Sequence, residues 1–200
     1  MTKTTETLLN PSDDECGIVA TFSEQSLDNL TEIQDKLSEY LGDSIWLTPR
    51  RALHSTLMEI ICDVVYPIPR HELFAKWYTQ YGQSVSGILS EIPTFKINFS
   101  EIEVSERAII VRSATSDSFN SIRSQLVSKI DLPTGTKLPP DITHCTLARY
   151  NHSMDLENVI ASTRHLQCDF TERITAFKLL KDLGPPSFEP KPIQEYSLHA

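Results

Sequence analysis

The residues best suited to chemistry in this 200-residue chain form a repeated tetrapeptide. His54-Ser55-Thr56-Leu57 and His144-Cys145-Thr146-Leu147 are both H-x-T-L, 90 residues apart, and none of the other four histidines carries the pattern. With Thr and Leu each supplying roughly one residue in ten, two hits among six histidines have a chance probability on the order of 10⁻³. Each copy lies in a run that reads as strand, where residues i and i+2 share a face. His54 and Thr56 therefore project together, as do His144 and Thr146, while Leu57 and Leu147 point the other way. Two such strands side by side would set two imidazoles and two hydroxyls around one cleft. A neutral imidazole can take a proton from an attacking water or hydroxyl. A protonated one opposite can give a proton to the leaving oxygen, and histidine reaches both forms near neutrality. The hydroxyls can donate to the non-bridging oxygens of a phosphate as charge builds. This set suits phosphodiester chemistry without a metal. The sequence has no Gly-rich phosphate loop, no G-x-S-x-G elbow and no acidic ligand set of a metal-dependent nuclease. Two histidines without a nearby carboxylate or thiolate make a poor metal site, so neither metal nor cofactor is expected.

Strands and helices alternate in two halves of similar make-up, one motif in each, which predicts an α+β domain of two lobes. Residues 1–15 lack apolar periodicity and read as a flexible acidic tail, leaving 16–200 as a single two-lobed domain. Cys16–Phe22 reads as strand. Leu27, Leu30, Ile33, Leu37, Tyr40 and Leu41 recur at helical spacing, with Ser26 as a cap and Gly42 as a stop. Ile45–Cys62 reads as strand broken by Pro49, and Arg70–Leu89 as a second helix. Phe95–Val104 and Ala108–Ala114 form a hairpin. A third helix starts at Ser116 or Asp117, and Asp131–Pro140 is a proline-rich loop. Ile142–Tyr150 is a strand and Asp155–Leu166 a short helix. Arg173–Leu180 and Glu195–His199 are strands separated by the turn at Gly184-Pro185-Pro186.

Charge looks at first like an argument against nucleic acids, for the chain carries −9 with a pI near 5.1. Yet residues 1–45 hold ten acids and two lysines, whereas residues 46–200 hold sixteen basic and seventeen acidic groups. The acidity belongs to the tail and first helix, where a solvated face accounts for it. What remains disfavours an extended duplex and leaves a local anion site open. No apolar run has the length of a membrane helix and the start is no signal peptide, so no membrane association is expected. Cys16, Cys62, Cys145 and Cys168 are widely spaced, which favours free thiols and a reducing, cytoplasmic setting. A monomer is expected.

Around the motifs, spacing yields further candidates. Tyr150 lies an even number of residues after His144, on the cleft face of a regular strand, where it could stack on a base or ribose. Arg149, at odd spacing, should point away from His144. Arg50 is at even spacing before His54 and forms a small basic patch with Arg51. Lys137, in the loop before the second motif, could reach a phosphate. Cys145 should face the core, as a packed thiol and not a nucleophile. His71, His152, His165 and His199 have no partners in sequence.

Paired H-x-T/S-x motifs, one per lobe, resemble the signature of the 2H phosphoesterase superfamily, over roughly residues 17–199. His144-Cys-Thr-Leu-Ala-Arg149 looks much like the second motif of its LigT-like members, and Leu53-His-Ser-Thr-Leu57 like the first. Met58-Glu59-Ile60 departs from the small and aromatic residues and the glycine that usually follow there. The resemblance implies a pseudo-symmetric fold with antiparallel sheets lining a central cleft and helices outside. It implies His54 and His144 as catalytic residues and Thr56 and Thr146 as phosphate-binding ones, with Arg149 suggested by its place in the motif. The implied activity is hydrolysis of 2′,3′-cyclic phosphates of nucleotides or short RNA ends, with His144 as base and His54 as acid. The alternatives are cleavage of 2′-5′-linked or cyclic oligonucleotides, RNA 2′-5′ ligation, and a module that binds a nucleotide or RNA end without cleaving it.

Overall fold

The computed structural model of the chain describes residues 2–7, 14–136, 138, 141–183 and 189–199. Nine strands and four α-helices alternate along them. They are β1 (Cys16–Thr21), α1 (Glu24–Leu41), β2 (Ile45–Leu47), β3 (His54–Ile61), α2 (Arg70–Ser90), β4 (Phe95–Val104), β5 (Ile109–Ser113), α3 (Asp117–Val127), β6 (His144–Tyr150), α4 (Leu156–Thr163), β7 (Phe170–Ile174), β8 (Ala176–Lys181) and β9 (Lys191–Ser197). Lys137 and the Gly184-Pro185-Pro186 turn lie outside the described residues.

The strands form one antiparallel sheet in the order β7-β4-β5-β6-β3-β1-β8-β9, with β2 also pairing to β6. The expected two lobes are two wings of this sheet, and they meet where β3 touches β6 through the single pair Ser55↔Cys145. Neither wing is one half of the sequence. The wing holding β3 is completed by β8 and β9 from the far end of the domain, while β2 crosses to β6.

Helices back the sheet in the same interleaved way. α1 packs against β2, β6, β7 and α4, whereas α3 packs against β3 and α2. Each of these two helices therefore lies behind the motif of the other half. The apolar stripe of α1 is buried through Leu30, Ile33, Leu37 and Leu41, and that of α3 through Phe119, Ile122 and Leu126. Ser23 caps α1 and accepts from the Ser26 amide, so the helix starts one turn earlier than its apolar spacing indicates. Phe22, Phe99 and Phe170 fill the core under one wing, and Phe95, Phe119 and Phe177 lie under the other.

Residues 2–7 fall in the stretch expected to be a flexible tail, yet they are held by backbone hydrogen bonds. Thr4 and Thr7 donate to the Met154 and Tyr150 carbonyls, and Leu156 donates to Thr2. Thr4 is buried, its hydroxyl accepting from the Met154 amide. All four cysteines are buried free thiols. Among the described residues no helix is long and apolar enough to cross a membrane.

Candidate active site

The two motifs open β3 and β6, and the register fixed by Ser55↔Cys145 sets each histidine across from the other motif's threonine. Ser55 and Cys145 face inward, fully buried, and the Ser55 hydroxyl donates to the His144 carbonyl. His54, Thr56, His144 and Thr146 turn to the opposite face and line one cavity of about 180 Å³.

Beyond the motifs both strands depart from regular alternation at the same place. Along β1, Ile18 pairs with Met58 and Val19 with Thr56, so Leu57 is an extra residue in β3. Along β5, Ile109 pairs with Ala148 and Ile110 with Thr146, so Leu147 is an extra residue in β6. Each motif leucine is thus a β-bulge, and a bulge exchanges the faces of the residues that follow it, in β3 as far as a second irregularity at Ile60. The consequences correct two expectations. Tyr150 is not on the cleft face: it is 0% exposed and its hydroxyl donates to the Ser105 carbonyl. Arg149 does not point away but lines the cavity, and Glu59 lines it from the equivalent position of β3. Arg50 is a third correction. After Pro49 it enters a short 3₁₀ turn, and its guanidinium pairs with Glu24 and Asp28 of α1, outside the cavity lining.

The polar and aromatic lining residues that were not foreseen include Arg123, Trp46, Thr48, Glu59 and Glu15. Trp46 and Thr48 alternate onto the cleft from β2 and the residue after it, and Trp46 pairs with Arg149. Arg123 is 7% exposed; its Nη1 donates to Asn120 Oδ1 at 2.9 Å, and Nε and Nη2 turn to backbone. It donates through Nε to the Leu57 carbonyl at 2.8 Å and through Nη2 to those of Thr56 at 2.9 Å and Ile142 at 3.3 Å.

The imidazoles have matching supports. His54 Nδ1 lies 2.8 Å from the Ala52 carbonyl, which can only accept, so Nδ1 carries a proton and Nε2 is left for the cleft. The Ile142 carbonyl, two residues back, likewise favours a proton on the His144 ring. Burial lowers His54 below its ordinary value, opposed by the Ala52 bond and helped by Arg149. Burial lowers His144 to about 4, with His54, Arg123 and Arg149 adding to it. Both are therefore neutral at pH 7. Burial also draws down the guanidinium of Arg149, against Glu15 and Glu59, which favour its charge. Arg112, beside His144 on β5, is engaged by Glu101 and Glu103. Among the described residues no group of three or more His, Cys, Asp or Glu is placed to hold a metal ion.

The lowered His144 makes stability depend on pH. Between the ordinary value of 6.5 and about 4, the unfolded chain takes up a proton that the folded chain refuses, so stability is present above that window and falls through it. The loss attributable to His144 is up to roughly 3 kcal/mol. Urea unfolding at pH 7 and pH 4.5 should therefore show a smaller drop for His144→Asn than for wild type. Equal drops would contradict the neutral, half-buried imidazole.

No protein-family model and no curated protein matches this chain. Solved structures do. The protein TT0787 of Thermus thermophilus superimposes with a TM-score of 0.62 at 15% identity, over 93% of this chain and 98% of that one. E. coli LigT in its apo form gives 0.59 at 13% identity, over 94% of this chain and 100% of that one. A LigT complex with 3′-AMP gives 0.56 at 12% identity over the same shares, and a structure described as a phosphoesterase gives 0.56 at 13%, over 94% and 99%. With both motifs at the seam of its two wings, this chain has a LigT-like fold.

Proposed function

We propose that the protein is a metal-independent phosphodiesterase that hydrolyses 2′,3′-cyclic phosphates of nucleotides or short RNA ends. The observation that carries this reading is the convergence of His54, Thr56, His144 and Thr146 on one cavity from two strands. In the proposed step, His144 takes the proton of a water attacking phosphorus. The bond from phosphorus to one ribose oxygen breaks, and His54 gives that oxygen its proton. Thr56 and Thr146 donate to the non-bridging oxygens. His144 is the base because Arg123 and Arg149 both hold it neutral, whereas of the two only Arg149 acts on His54. The bound phosphate anion offsets these cations and lets His54 take up its proton.

The cavity charge supports a singly charged substrate. Arg123 and Arg149 are balanced by Glu15 and Glu59, with both imidazoles neutral. A cyclic phosphodiester carries one negative charge. The monoester product approaches two at neutral pH, which favours its release. At about 180 Å³ the cavity is smaller than the ~300–1,000 Å³ sites that enclose a whole drug-sized ligand, so it would hold the phosphodiester and leave the base near its mouth. Trp46 is the aromatic surface there for stacking, in the role sequence spacing gave to Tyr150. The 3′-AMP in the LigT complex is a ligand of the size proposed for this cleft.

The test is to incubate the protein with 2′,3′-cyclic nucleotides and with 2′-5′ and 3′-5′ dinucleotides, with and without EDTA, and to identify products by ³¹P NMR. The expected result is ring opening of the cyclic phosphates at a rate EDTA does not change. Turnover of the 2′-5′ dinucleotide alone would favour the oligonucleotide alternative, and binding without turnover a recognition module.

A further inference from the structure

The ladder between β3 and β6 is too short to fix the distance between the two motifs. It consists of one residue pair, Ser55↔Cys145. A second set of bonds spans the same seam. Gln34 of α1 is 4% exposed, and its Nε2 donates to the carbonyls of Thr48 and Leu147, both at 2.8 Å. Thr48 leads into the first motif, and Leu147 is the bulge of the second. Arg123 of α3 does the mirror image. It joins Ile142, which leads into the second motif, to Thr56 and Leu57 at the bulge of the first. Each clasp ties the lead-in of one motif to the bulge of the other.

The clasps occupy equivalent places. Leu30, Ile33, Gln34 and Leu37 share one helical spacing with Phe119, Ile122, Arg123 and Leu126, and all eight are buried. A polar side chain in an apolar stripe is costly unless its hydrogen bonds are made. Here each makes them to backbone carbonyls at a bulge, where the regular ladder is interrupted.

We infer that Gln34 is a positioning residue for the second motif, holding the Leu147 bulge so that His144, Thr146 and Arg149 face the cleft together, with Arg123 doing the same for the first motif. This rests on the two-histidine reading above and deepens it. It assigns the alignment of the catalytic pair to two helix side chains acting together with the sheet, where the Thr48 amide also donates to the Leu147 carbonyl at 2.9 Å. Gln34 is the cleaner subject for a test. It is uncharged and lies outside the cavity lining, so it can reach His144 only through geometry. Arg123 acts on His144 by its charge as well.

The experiment follows the imidazole signals by NMR titration of the free protein and, separately, steady-state turnover of a 2′,3′-cyclic nucleotide, in wild type and Gln34→Met. Methionine fills similar space and donates nothing. Relaxation of the bulge would withdraw Arg149 from the cleft, so His144 should titrate at higher pH than in wild type. kcat should fall on the order of 10–100-fold, and by more than KM rises, as for a misplacement of about an ångström. A folded Gln34→Met protein with the wild-type His144 titration and wild-type kcat would overturn the inference. If methionine prevents folding, Gln34→Asn keeps the amide one methylene short. It should shift His144 in the same direction, and wild-type behaviour there is equally fatal. The titration needs no substrate. An inactive wild type would therefore sink the proposed hydrolysis while a displaced His144 in the variant still upheld the clasp.

Discussion

Alanine at His144 should lower kcat/KM for a 2′,3′-cyclic nucleotide on the order of 10²–10⁴-fold, the range for loss of a positioned general base. Alanine at His54 should cost as much on the same substrate, because the departing ribose oxygen then leaves unprotonated. The two variants part company on a nucleoside p-nitrophenyl phosphodiester, whose phenolate leaves without needing a proton. His54→Ala should recover most of the loss there, and His144→Ala should recover none, since its water still lacks a base. The opposite pattern would exchange the two roles, and full activity in either variant on the cyclic substrate would refute the two-imidazole step. Folding is a weak confounder. Both rings are only partly buried, and the face behind them is filled by Leu57, Cys145 and Leu147, which the substitutions leave in place.

The second large effect belongs to the threonines. Thr56→Val and Thr146→Val keep the β-branched shape that suits a strand and remove only the hydroxyl. If each hydroxyl donates to a non-bridging oxygen more strongly in the transition state than in the ground state, each variant should lose on the order of 10–1,000-fold in kcat. KM should change far less. Serine at the same positions should retain much of the rate. The register makes the two hydroxyls equivalent: His54 faces Thr146 and His144 faces Thr56, so neither serves only its own strand. Steady-state kinetics on the four variants decide it. Unchanged kcat in both valine variants would leave the hydroxyls with no part in the reaction.

Much of the site is legible in the motifs themselves, because two residues at i and i+2 in a strand need only one local rule to be placed. That rule holds through Thr56 and Thr146 and then fails one residue later in each strand. Leu57-Met58 and Leu147-Ala148 are apolar doublets, and a doublet interrupts strict alternation, which is the mark a bulge leaves. Counting onward by twos sends Tyr150 to the cleft and Arg149 to the core, and both are reversed. Gln34 and Arg123 leave a similar trace. Each is a long polar side chain at an apolar position of its helix, 20 and 21 residues before its half's histidine. Periodicity alone cannot say which strand a helix packs behind, so the exchange of α1 and α3 between halves has no local signature. Arg50 fails for a further reason: a 3₁₀ turn of three residues breaks the strand, and Glu24 and Asp28 are near it only in space.

The interleaving of the wings sets an order on synthesis. The first motif leaves the ribosome ninety residues ahead of the second, yet its own wing is the later to close. β3 and β1 can pair as a local unit, but the rest of that wing, β8 and β9, runs to Ser197. The wing of the second motif has all of its strands by Ile174. Distant pairings come late because the intervening chain must first be gathered. The older histidine thus waits, in a half-built sheet with an unpaired edge, for the last strands to arrive.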